Sequence, residues 1–123
     1  AGINGWDALK NKEKGRTTLA DELVTVPATL PALMRAQKLQ KRAAGHGLGQ
    51  QDAAAAQHRL EAAAQAFGKA DAAAKPQAAG QLLFAAVNAA RLAGVDAEEA
   101  LTFASKRFAQ QCLEQEQRGT QVE

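Results

Sequence analysis

Between Lys75 and Arg91 the chain carries no charged side chain. Its large apolar residues there and just beyond, Leu82, Leu83, Phe84, Val87 and Leu92, surround a helix rather than forming one stripe. A helix apolar on every side must be covered on every side. The segment therefore reads either as the central helix of a bundle or as a helix partly covered by a second copy of the chain. A chain of 123 residues has little surface of its own with which to do the covering. The surrounding composition agrees with an all-α fold. Alanine dominates, Tyr is absent, and Gly and Pro are sparse between candidate helices; alanine loses no side-chain entropy on entering a helix.

The helix boundaries follow from local signals. "GWDALKNKEKG" reads as a short helix bearing Trp6 and Leu9. "RTTLADELVTVPATLP" reads as an irregular connector, because β-branched residues, Pro27 and Pro31 oppose regular helix. The first main helix, "PALMRAQKLQKRAAG", opens on Pro31 and closes on Gly45, with Leu33, Met34, Leu39 and Ala43 as apolar points. After the glycine-rich turn "GHGLGQQ", Asp52 caps the second, in which Ala56, Leu60, Ala64 and Phe67 recur at helical spacing. Pro76 starts the third, which ends near Gly94. Asp96 with Glu99 forms a capping box for the fourth. The apolar stripe of that last helix is Ala97, Leu101, Ala104, Phe108 and Cys112, with Lys106, Arg107 and Gln110 facing outward. The result is a bundle of four main helices without internal repeat, read as one domain over residues 1–123.

Fifteen Lys and Arg against thirteen Asp and Glu give a net charge of +2, too small to attract nucleic acid or an anionic membrane by bulk electrostatics. No stretch approaches the roughly 20 apolar residues of a membrane span. Cys112 is the single cysteine, which excludes an internal disulfide and suits a reducing compartment. The opening "AGINGWDALKNKEKG" lacks the apolar core and cleavage pattern of a signal peptide. A cytoplasmic protein is the expectation.

Three stretches, "LPALMRAQKLQKRAA", "GQLLFAAVNAARLAGVDAEEAL" and "ASKRF", together resemble the MazG family of nucleoside triphosphate pyrophosphohydrolases, and "GWDALKNKEKG" resembles the lead-in to the second MazG domain of tandem members. The resemblance implies an all-α bundle assembling as a dimer or higher homo-oligomer with a core shared between chains, and a piece of a longer tandem protein as one origin. It also implies Mg-dependent cleavage of a nucleoside triphosphate to the monophosphate and pyrophosphate. In the family, the metal ligands come from a Glu-Glu-x-x-Glu pattern on the second helix and a Glu-x-x-Asp pattern on the third. Mg²⁺ is a hard ion that takes oxygen ligands and bridges them to substrate phosphates.

Here that pattern fails. Anchored on Leu60, Phe67 and Gly80, the matching positions are Ala62, Ala63, Ala66, Ala78 and Gln81. Sliding the second helix by one residue brings in Glu61 but leaves Ala62 and Gln65. In any register the only acids between Asp52 and Asp96 are Glu61 and Asp71. The family's Asn, Lys and paired Arg near "ASKRF" correspond to Ser105, Arg107, Gln110 and Gln111, and no Trp follows the glycine turn. The residues that match the family's packing, Leu82, Leu83, Phe84, Val87, Asn88, Arg91 and Phe108, are kept. No Mg²⁺ or other cofactor is therefore expected.

The remaining polar residues admit two readings each. Arg35, Lys38 and Arg42 form a basic stripe that either meets a triphosphate or acidic partner, or simply faces water, the commoner fate of charge runs. Asn88 and Arg91 either reach a ligand or tie helices together. His46 and His58 lack neighbours at zinc-ligand spacing, and Cys112 falls on an apolar stripe with no base beside it, which places it in the core. The leading function is a non-catalytic domain for dimerisation, regulation or weak nucleotide binding through Arg35, Lys38, Arg42, Asn88, Arg91 and Arg107. The alternative is an active pyrophosphohydrolase drawing carboxylates from elsewhere, such as Glu98, Glu99, Glu114 and Glu116.

Overall fold

The computed structural model describes residues 18–122. The short helix expected around Trp6 and Leu9 lies outside the described residues. Five helices follow in order: α1 (Leu19–Val24), α2 (Ala32–Gly45), α3 (Ala53–Lys69), α4 (Lys75–Leu92) and α5 (Ala97–Val122).

Asp52 and Asp96 act as N-caps, and of the capping box expected at Asp96 and Glu99 the structure shows the Asp96 half. Asp52 accepts from the Ala55 amide at 3.1 Å and Asp96 from the Glu99 amide at 2.9 Å, so each satisfies a donor that the first helical turn leaves free. After α4, Gly94 takes φ +78° and the chain reverses in a Schellman turn, with Val95 N bonded to Ala90 O and Gly94 N to Arg91 O. Gly47 does the same after α2, at φ +73°. One boundary expectation is overturned. The connector holds α1, because Thr18 accepts from the Asp21 amide at 3.1 Å and Asp21 and Glu22 supply negative charge to the first turn. Local capping outweighs the β-branched residues nearby.

The main pairing is α3 against α4, joined by the short Ala70–Ala74 link into an antiparallel hairpin. At this junction Lys75 donates to Phe67 O at 2.7 Å and stands 4.7 Å from the centre of the Phe67 ring. It thus closes the C-terminal end of α3 with a cation. Helix α2 packs across α4, and Gln40, at 7% exposure, donates to Phe84 O at 3.0 Å. Gln37 fixes the start of α5 by accepting from the Ala97 amide at 3.0 Å.

The core is made of small side chains: Val26, Ala56, Ala63, Ala85, Val87 and Ala97. This corrects two expectations for the single chain. Helix α4 is not covered on all sides, since Leu83 is 60% and Phe84 46% exposed. The stripe on α5 is buried only at Ala97; Leu101, Phe108 (67% exposed) and Cys112 all face outward. The cause lies in the geometry of the turn after α4, which bends the chain by 108° between α4 and α5. Only the first turn of α5 meets the body, and every side chain from Glu99 to Thr120 is exposed. Among the described residues no single helix is long and apolar enough to cross a membrane.

Candidate functional site

One face of α3 carries Arg59, Ala62, Ala63, Ala66 and, just past its end, Ala70, at helical spacing. The antiparallel return of α4 sets Gln77, Ala78 and Gln81 against it, with Ala74 at the closed end of the hairpin. These residues line a cleft of about 460 Å³. Ala62, Ala63, Ala66, Ala78 and Gln81, the positions that the sequence resemblance sets against the family's metal ligands, thus all lie on the wall of a single cleft.

The donor set of that cleft does not fit Mg²⁺. Alanine methyl groups offer no lone pair, and a glutamine carbonyl lacks the charge that offsets dehydration of a hard dication. Among the described residues the only charged one on the wall is Arg59. The two acids nearest in sequence are engaged elsewhere. Glu61 is exposed and accepts from Gln57 at 3.4 Å, with His58 at 4.0 Å, and Asp71 accepts from the Ala74 amide at 2.9 Å in the hairpin link. Neither lines the cleft. Of the alternative acids, Glu99 lines a separate cavity of about 550 Å³ with Asp96, Phe103 and Lys106. Glu98, Glu114 and Glu116 lie on α5 and line neither cavity. Among the described residues no three His, Cys, Asp or Glu side chains are grouped as a metal site. His46 instead pairs with Glu22.

The other candidate residues fall in separate places. Asn88 donates to Gln50 O at 3.2 Å and accepts twice from Arg91, at 2.9 and 3.1 Å, while Arg91 also reaches Gln50 O at 3.4 Å. The pair ties α4 to the loop before α3. Asn88 nevertheless also lines a second cavity of about 300 Å³, with Gln50, Arg59, Gln81, Phe84 and Ala85. Because Arg59 and Gln81 belong to both cavities, the two adjoin. Arg35 and Arg42 on α2 are half-buried with their Nε atoms covered and unpartnered among the described residues, whereas Lys38 is exposed beside a distinct cavity with Met34, Gln37, Lys41 and Asp96. Arg107 is exposed on α5 and lines none of these cavities. Arg59 and Gln77, which the sequence reading does not single out, also line the cleft. The signal was available: Arg59 precedes Ala62 and Ala63 by three and four residues, which puts it one turn away on the same helix face.

No family model matches the chain. Two curated proteins do, the nucleoside triphosphate pyrophosphohydrolases of Escherichia coli strain K12 and Escherichia coli O157:H7, each 37% identical over 109 residues and covering 84% of this chain. The matched region is 41% of each relative, so the chain spans about two fifths of the length of these proteins.

Proposed function

As the chain is MazG-like, resembling the nucleoside triphosphate pyrophosphohydrolases, we propose that it is a non-catalytic member of that group, a domain for self-association and regulation that retains weak nucleotide binding. The observation that carries this reading is the cleft wall: five positions where the family pattern calls for carboxylates hold Ala62, Ala63, Ala66, Ala78 and Gln81, and all five face one space. Without carboxylates there is nothing to fix a metal ion against a triphosphate. The attacking water then has neither activation nor orientation, and the developing charge on phosphorus has no counter-charge of the required density.

Self-association is supported by the outward apolar faces. Leu83 and Phe84 on α4, with Leu101, Phe103, Phe108 and Leu113 on α5, are each exposed. Large apolar side chains left in water on both helices favour a covering partner. A homodimer covers these faces without any further protein, and symmetric dimers are the commonest closed assembly.

The test restores the missing groups. In the variant Ala62→Glu, Ala63→Glu, Ala66→Glu, Ala78→Glu, Gln81→Asp, calorimetry should register Mg²⁺ binding that the parent lacks. A variant that folds normally and binds no more Mg²⁺ than the parent would refute the registration of the family pattern onto α3 and α4.

A further inference from the structure

Helix α1 has six residues, none of them buried, and among the described helices it packs only against α2. A helix of that length does not persist alone in water, so its order depends on what joins it to α2. Part of the join is apolar: Val26, just past its end, is 4% exposed, and Leu19 and Leu23 are half-covered. Another part is a titratable pair. Glu22 on α1 and His46, the residue that ends α2, meet carboxylate to imidazole Nε2. Their side chains are 29% and 33% exposed, enough cover to limit screening by salt.

His46 stands where a positive charge gains twice. As imidazolium it donates from Nε2 to an oppositely charged carboxylate, and it lies at the C-terminal end of α2, where the helix carbonyls favour a cation. The neutral ring keeps at most a hydrogen bond to Glu22 and loses its own charge in both places. The charged groups on the elements that meet there are Asp21 and Glu22 on α1, Lys41 and Arg42 in the last turns of α2, and Asp52 after the glycine turn. Lys41 and Arg42 oppose a further cation and the carboxylates favour it, with Glu22 in contact.

We propose that the His46–Glu22 pair is a pH-sensitive latch, which holds α1 on α2 while the imidazole is charged and lets it go when the imidazole is neutral. Histidine is the side chain whose charge changes between about pH 5 and 8. The sign follows from the form that makes the stronger contact: the hold is firm at the acid end of that range and weakens as pH rises through the imidazole's titration. Acid strong enough to protonate Glu22 removes the partner and breaks the latch from the other side. Release uncovers Leu19, Leu23 and Val26 with the surface of α2 beneath them, so pH sets how much apolar surface this end of the molecule presents. The latch is independent of whether the cleft between α3 and α4 is catalytic. His58, the other histidine, is 82% exposed and stands 4.0 Å from Glu61 of its own helix, so its titration joins no two elements.

The test follows α1 by backbone amide exchange in the ¹⁵N-labelled chain at about pH 5.5 and about pH 8, with each rate divided by that of an unstructured chain at the same pH. The amides of Glu22, Thr25 and Val26 bond to Thr18 O, Glu22 O and Leu23 O. They should lose roughly threefold to tenfold in protection at the higher pH, as expected for losing an ion pair and a helix-end cation together. The change should follow the His46 ring signal and not that of His58. His46→Gln should give the low protection at both pH values, and His46→Lys, which keeps a cation at both, the high protection at both. Equal protection at the two pH values in the parent would overturn the proposal, as would a pH dependence that survives in His46→Gln or tracks His58. Should His46→Gln fail to fold, His46→Lys decides, because a fall in protection that persists with Lys at this position comes from another group and refutes the latch.

Discussion

Asn88 sits on α4 as both donor and acceptor, joined to Gln50 O and twice to Arg91. Replacing it with Ala removes the acceptor that orients Arg91 and the donor that holds the loop before α3. Asn88→Ala should cost about 1–2 kcal/mol, read as a lower urea midpoint. Asn88→Asp keeps the acceptor for Arg91 but sets a carboxylate against Gln50 O, so it should fall between parent and Ala. An Ala variant with an unshifted midpoint would show that the contacts contribute nothing. This pair also marks what a sequence can and cannot reveal about a site. The positions facing the cleft were legible through the family resemblance, whose metal-ligand pattern registers on Ala62, Ala63, Ala66, Ala78 and Gln81; helical spacing then puts each set on one face of its helix. The partner of Asn88 was not, because Gln50 lies in an irregular loop whose backbone carbonyl has no sequence signature.

At the level of elements, the hairpin of α3 and α4 depends on its ends. Lys75 reaches back to Phe67 O at 2.7 Å and covers the Phe67 ring. Lys75→Met keeps the apolar stem and removes the charge, and should lower stability by about 0.5–1 kcal/mol, the usual worth of a cation at a helix C-terminus. The effect should shrink in high salt. A salt-independent loss would assign it to packing instead. Asp96→Ala should cost about 1 kcal/mol through the lost cap on the Glu99 amide, measured as a drop in thermal midpoint. An unchanged midpoint would mean that α5 holds its start through Gln37 and Ala97 alone. Caps of this kind are why the starts of α3 and α5 could be read to within a residue: the chemistry is contained in four consecutive positions. Helix α1 escaped notice because its cap, Thr18, sits in a run whose threonines and valines favour extended backbone. The burial of α4 and α5 escaped for a larger reason. Periodicity says which side chains avoid water but not which chain covers them.

The whole molecule exposes what its sequence says should be hidden. Helix α5 runs 26 residues, about 39 Å, with Phe103 at 67% and Leu113 at 56% exposure. A second copy should cover these side chains, and sedimentation at micromolar concentration should give twice the 12.9 kDa chain mass. A species at the chain mass would contradict it. Phe84→Ala should then act in two parts. Folding of one chain should lose only about 1 kcal/mol, since Phe84 is half exposed there, and the larger loss should appear as weaker association, with melting that depends more steeply on concentration. A variant that melts and sediments like the parent would place Phe84 outside any interface. Assembly also bears on catalysis, because a second chain is a further source of carboxylates for the cleft. The decisive measurement is therefore made on the assembled protein: pyrophosphate release from a panel of nucleoside triphosphates with Mg²⁺ or Mn²⁺, in protein freed of contaminating hydrolase. No release above the no-enzyme control is predicted for any of them. Metal-dependent release that co-purifies with the protein would contradict the account, whether or not it persists when Glu61 is replaced.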